Sequence, residues 1–119
     1  MRTSADLVGR TLAEVGRKVR PGVTTAELDA IADDFIQSHG ARPAFKGYKV
    51  GRHTFPAALC ISINDEVVHG IPSRHRVLKE GDLVSIDCGV WLNGVFTLHS
   101  LHLKHTTEEP RHRNTMTKR

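Results

Sequence analysis

The sequence predicts an α/β (α+β) domain: two helices followed by antiparallel strands and hairpins. Three observations predict it. Apolar residues recur at helical spacing twice, over residues 7–19 and again over 28–36. From Ala58 onward, short apolar blocks are bounded by turn residues. Between two of those blocks stands Asn93-Gly94, the dipeptide that most strongly marks a two-residue hairpin.

In the first helix, Val8, Leu12, Val15 and Val19 form one stripe with Leu7 beside it, and Arg10, Glu14, Arg17 and Lys18 take the other side. Ser4 is placed to cap its start, and Pro21-Gly22 stops it. The second helix opens on a capping box, Thr24 at N-cap and Glu27 at N3, with Val23 and Leu28 as the flanking apolar pair. Leu28, Ile31, Ala32, Phe35 and Ile36 give its apolar face, and Gly40 supplies a left-handed end.

Residues 41–57, rich in Gly, Pro and basic side chains, read as a long loop of the kind that often carries function. Residues 58–63 form a strand, Asn64-Asp65 turns it, and residues 66–69 return. Gly81 serves a turn before a strand over residues 83–90. Val95-Phe96-Thr97 begins the strand after Asn93-Gly94. Residues 98–119 mix polar and apolar residues without a clear pattern. They are expected to form a basic, disordered tail, with five cations against two acids and +3 of the net charge of +4.

The 119 residues suffice for one small domain, and 39% hydrophobic residues with only 5% aromatic imply a modest aliphatic core. No apolar run approaches the length of a membrane span, and the first residues lack a signal-peptide pattern, so the expected location is the cytoplasm. In that compartment Cys60 and Cys88 are expected to be buried thiols.

Asp87 is the first candidate site residue. Along its strand, Ser85, Asp87 and Gly89 share one face, while Val84, Ile86, Cys88 and Val90 share the core face. Asp87 is either a solvent-facing acid or a metal ligand. The two-residue turn pairs Leu92 with Val95, Trp91 with Phe96, Val90 with Thr97, and Gly89 with Leu98. Position 98 then lies diagonal to Asp87, about 7–8 Å away. A second carboxylate there would complete a bridge for two metal ions about 3.5–4 Å apart, but the residue is Leu98. His69 reads as a structural histidine, or as a hydrogen-bond donor to a substrate amide if its loop approaches Asp87. The tract His99-x-x-His102-x-x-His105 has the composition of a metal site, though on a strand its members alternate faces. The basic tail allows contact with nucleic acid or a ribosome, or is a solvated end.

Residues 55–94, FPAALCISINDEVVHGIPSRHRVLKEGDLVSIDCGVWLNG, resemble type 1 methionine aminopeptidases of metallopeptidase family M24, and the likeness spans about residues 5 to 97. The resemblance implies the N-terminal half of a "pita-bread" fold over residues 1–97. It implies that Asp87 is the first metal-ligating aspartate and that His69 contacts the substrate. Phe55 and Cys60 would line the pocket for the methionine side chain, and Arg52 stands where the family often has tyrosine. Two divalent ions (cobalt, iron, manganese or zinc) would activate a water that cleaves the peptide bond after an initiator methionine. The family's second aspartate falls on Leu98, and its histidine and two glutamates belong to the other half of the fold.

The expected function is therefore that of a methionine aminopeptidase acting on nascent-peptide N-termini, with this chain truncated and inactive alone. The loss of pattern after Thr97 points to a reading-frame shift. The alternative is a non-catalytic peptide- or ribosome-binding module with a basic tail. A third reading is an enzyme completed by a second chain. A half-fold would also expose an apolar face and self-associate through it.

Overall fold

The computed structural model describes residues 3–47, 49–50, 52–64, 70–104 and 111–113. Its elements in chain order are α1 (Ser4–Gly16), α2 (Thr25–Ser38), β1 (Arg42–Pro43), β2 (Lys49–Val50), β3 (His53–Thr54), β4 (Leu59–Ile63), β5 (Leu83–Leu92), β6 (Val95–Lys104) and β7 (Arg111–Arg113). Among the described residues, no helix is long and apolar enough to cross a membrane.

The helices form where the apolar spacing placed them, with two differences at α1. Thr3, not Ser4, is its N-cap, accepting from the Asp6 amide. Ser4 is the first helical residue, and its hydroxyl lies 2.5 Å from that of Thr97, which ties the helix start to β6. The helix ends at Gly16, before the Pro21-Gly22 stop, although Val19 beyond it is still buried. At α2 both halves of the Thr24–Glu27 capping box are present, and Gly40 has φ of 78°.

All pairings in the sheet are antiparallel. β5 is its spine: β6 pairs along one edge, and β4 and then β1 pair along the other. The register around the turn is the expected one, from Leu92↔Val95 to Gly89↔Leu98. Asn93 and Gly94 adopt φ of 53° and 79°, as a primed turn requires. The strand does not lose its pairing after Thr97. It continues to Lys104, and β7 pairs with its last three residues. The expected disorder of residues 98–119 therefore does not hold for 98–104 and 111–113. The long loop of residues 41–57 likewise contains three short strands.

Pairing along the whole of β5 extends β6, and it buries one row of its side chains. Leu101 and Leu103 are buried on the helix side, with Thr97 and His99 in the same row. Leu101 and Leu103 pack with Ile61, Ile63, Val84, Ile86, Cys88 and Val90 against Leu7, Val8, Leu12, Val15, Leu28, Ala32 and Ile36. This single apolar layer between helices and sheet is the core. The other face of the sheet carries no helix among the described residues and is polar at its centre.

Candidate functional site

The helix-free face presents Asp87 with a neighbour on each side. Cys60 on β4 and Ser100 on β6 are its direct cross-strand partners. Asp87 and Ser100 form a pair whose backbone groups point away from each other, which brings the side chains close. The Ser100 hydroxyl donates to Asp87 Oδ1 at 2.5 Å. One rung further along, Ser85 Oγ lies 2.9 Å from His102 Nδ1. In the other direction, Gly89 pairs with Leu98, so Leu98 sits diagonal to Asp87 as expected, 44% exposed.

Gly89 makes room for an aromatic floor. A Cβ on it would come within 3.1 Å of Ala44, 3.2 Å of Phe96 and 3.5 Å of Phe45. Phe45 in turn meets Phe55 edge-on, with ring centroids 6.2 Å apart. Loop residues 43–47 are fixed from both ends. Ala44 N–H donates to Gly89 C=O at 2.8 Å, and Lys46 bridges to Asp33 on α2 at 2.7 Å. Phe55, Cys60 and Asp87 thus belong to one face, joined by Phe45, which the sequence reading did not single out.

His69 lies outside the described residues, so its expected role gains no geometry here. Its neighbour Gly70 is placed, accepting from the Ile61 amide at 2.8 Å, and its own backbone hydrogen-bonds the Cys60 thiol. The segment that follows is held to α2: Thr25 and Ser73 exchange hydrogen bonds, and Thr24 bridges to Val77.

Burial pushes the Cys60 thiol up and the Asp87 charge adds to that, while the contact with Gly70 opposes it. Cys88 is raised far more, first by complete burial and then by the charges of Asp29 and Asp87. Neither thiol is poised as a nucleophile. Asp29 is a further residue missed in the sequence. It accepts from the amides of Ala58 and Leu59, both at 2.8 Å, and so fixes the entry into β4 just before Cys60.

Among the described residues, the donor set around Asp87 does not fit a two-ion metal centre. One oxygen of its carboxylate is taken by Ser100, and the diagonal position offers the aliphatic Leu98. Among the described residues, no three His, Cys, Asp or Glu side chains converge to hold an ion. His99 and His102 fall on opposite faces of β6, as a strand dictates, and His105 lies outside the described residues.

Two helices thus lie on one side of a β5-centred antiparallel sheet, with an acid, a thiol and aromatic rings on the other. The chain belongs to metallopeptidase family M24, whose family profile matches residues 1–117. Within that family it is similar to methionine aminopeptidases. It is 55% identical over 94 residues to the methionine aminopeptidase of Clostridium acetobutylicum, covering 79% of this chain and 36% of that protein. The crystal structure of methionine aminopeptidase from Rickettsia prowazekii matches with a TM-score of 0.79 at 38% identity, over 88% of this chain and 40% of that one. The Thermotoga maritima enzyme matches at 0.80 and 31% identity, over 89% and 41%. The fold is thus the pita-bread fold of these enzymes, of which the chain spans well under half the length.

Proposed function

We propose that this chain carries the N-terminal half of a methionine-aminopeptidase site and that its 119 residues alone do not cleave peptide. Phe55 and Cys60, with Phe45 beside them, would receive the methionine side chain of a nascent-peptide N-terminus. His69 would contact the substrate amide, and Asp87 would be the single metal-ligating residue retained. The expected setting is the cytoplasm, where nascent chains emerge.

One observation carries the inactivity: the positions facing Asp87 across the hairpin are Leu98 and Ser100. A lone carboxylate, already hydrogen-bonded to a neutral hydroxyl, has no second charged oxygen with which to share a pair of divalent ions. Tail-mediated ribosome contact remains a separate expectation of the sequence, to be tested by salt-sensitive binding.

The test is calorimetric titration with Co, Mn, Fe and Zn salts, together with a Met-Ala-Ser cleavage assay, on the purified chain. The expected result is neither tight two-ion binding nor turnover. Two ions per chain with robust turnover overturns the proposal. L98D, with unchanged circular dichroism, is expected to gain measurable affinity for a divalent ion. Binding of Met-Ala-Ser without cleavage would favour the binding-module reading.

A further inference from the structure

Among the described residues, the outer edge of β6 is open for most of its length. β5 occupies one edge, and the described residues of β7 cover the other opposite His102, Leu103 and Lys104. In a hairpin closed by two residues, Leu92 and Val95 exchange backbone hydrogen bonds, so Val95, Thr97, His99 and Leu101 point theirs towards β5. Phe96, Leu98 and Ser100 point their N–H and C=O outward. Among the described residues, these three have no backbone partner on that side.

The same stretch exposes apolar surface. Phe96 is 46% and Leu98 44% exposed, and Trp91 stacks beside Phe96 with centroids 5.4 Å apart. Sheets blunt open edges with charges, proline or bulges. The segment VFTLHSL, residues 95–101, has no Lys, Arg, Asp, Glu or Pro, in a chain of net charge +4.

We propose that this edge pairs antiparallel with the same edge of a second copy, about a two-fold axis at Thr97. Outward-pointing residues must face outward-pointing residues, which excludes one-residue slips. A register centred on Leu98 would drive the second copy's Asn93-Gly94 turn against residues 102 and 103, where β7 sits. Centring on Thr97 places that turn opposite residues 100 and 101, clear of β7. Phe96 then faces Leu98 of the second copy, and Leu98 its Phe96. These pairs exchange backbone hydrogen bonds and cover each other's apolar side chains. A second copy suits the edge because the pairing is self-complementary and brings no charges together, although each chain is cationic.

The test is sedimentation of the full chain across a dilution series, with amide hydrogen exchange read residue by residue. The expected species has twice the 13.2 kDa monomer mass and dissociates on dilution. The amides of Phe96, Leu98 and Ser100 gain protection as the dimer forms. L98P deletes an outward N–H without removing a β5–β6 hydrogen bond and is expected to be monomeric. W91S, on the same face but on β5, is expected to stay dimeric, which separates edge pairing from stacking of the open faces. A monomer at every concentration overturns the proposal, as does a dimer whose Phe96, Leu98 and Ser100 amides exchange freely. Protection that appears only on adding an unrelated extended peptide assigns the edge to another partner and also overturns it. If L98P does not fold, the exchange pattern of the unaltered chain decides.

Discussion

Ser100 donates a hydrogen bond to Asp87 across the β5–β6 ladder, at 2.5 Å. The two residues are direct cross-strand partners on the helix-free face, and both are half-buried. A hydroxyl bonded to an ionised acceptor in such a site contributes more than a neutral pair would. S100A is expected to lower stability by about 1–2 kcal/mol, read as a shift of the urea midpoint with an unchanged slope. An unchanged midpoint would mean that water replaces the hydroxyl at no cost.

Asp29 gives a pH prediction. Burial raises its carboxyl above the ordinary value of 3.8, against the opposing effect of the Leu59 and Ala58 amides. The native state therefore binds more protons than the unfolded chain between 3.8 and the raised value. Stability contributed by Asp29 falls as pH rises through that window and then levels off. Asp33 works the other way: burial acts to raise it, but Lys46 and Gln37 prevail and hold it below its ordinary value. The difference between parent and D29N isolates Asp29, because asparagine keeps the oxygen acceptor and loses the charge. D29N is expected to gain on the parent across the window; parallel curves would contradict this. D29A, which leaves two amides unpaired, is expected to lose about 2–3 kcal/mol at all pH values.

The hairpin was legible because a two-residue turn fixes register and register fixes parity. Leu98 therefore landed diagonal to Asp87 as read from sequence. Two more rungs of the same ladder reach Ser100, a step available in the sequence but not taken. The length of β6 was hidden because histidines and a serine diluted its period-two signal. Pairing with β5, a tertiary effect, decides it. Thr3 took the cap because Ser4 is drawn to Thr97, a partner ninety-three residues away. Asp29 and Phe45 were missed for a like reason: their partners, the amides of Ala58 and Leu59 and the Gly89 position, lie beyond any local pattern.

The two thiols are expected to separate in reactivity. Cys60 faces the half-open side and Cys88 the closed core, on adjacent strands. Both are raised by burial, and Cys88 the further. Iodoacetamide at mildly alkaline pH is expected to modify Cys60 slowly and Cys88 only after unfolding, read by peptide mass mapping. Labelling of Cys88 in the native chain would place it on the wrong face of β5.

Gly70 is the residue whose change should cost most. A Cβ there would lie 1.7 Å from the carbonyl oxygen of Ile61 and 2.4 Å from its carbon, and backbone cannot give way as a side-chain tip can. Relief requires breaking the hydrogen bond that the Ile61 amide donates to the Gly70 carbonyl and lifting the segment that leads on to Ser73. G70A is therefore expected to lose about 3 kcal/mol, the upper end of overpacking costs. It should also speed Cys60 labelling, because the Gly70 backbone contacts that thiol. Lost stability with unchanged Cys60 labelling would mean that the chain relaxes elsewhere and that Gly70 does not shield the site. Both effects together would establish that residues 70–73 are seated beside Cys60 through Gly70.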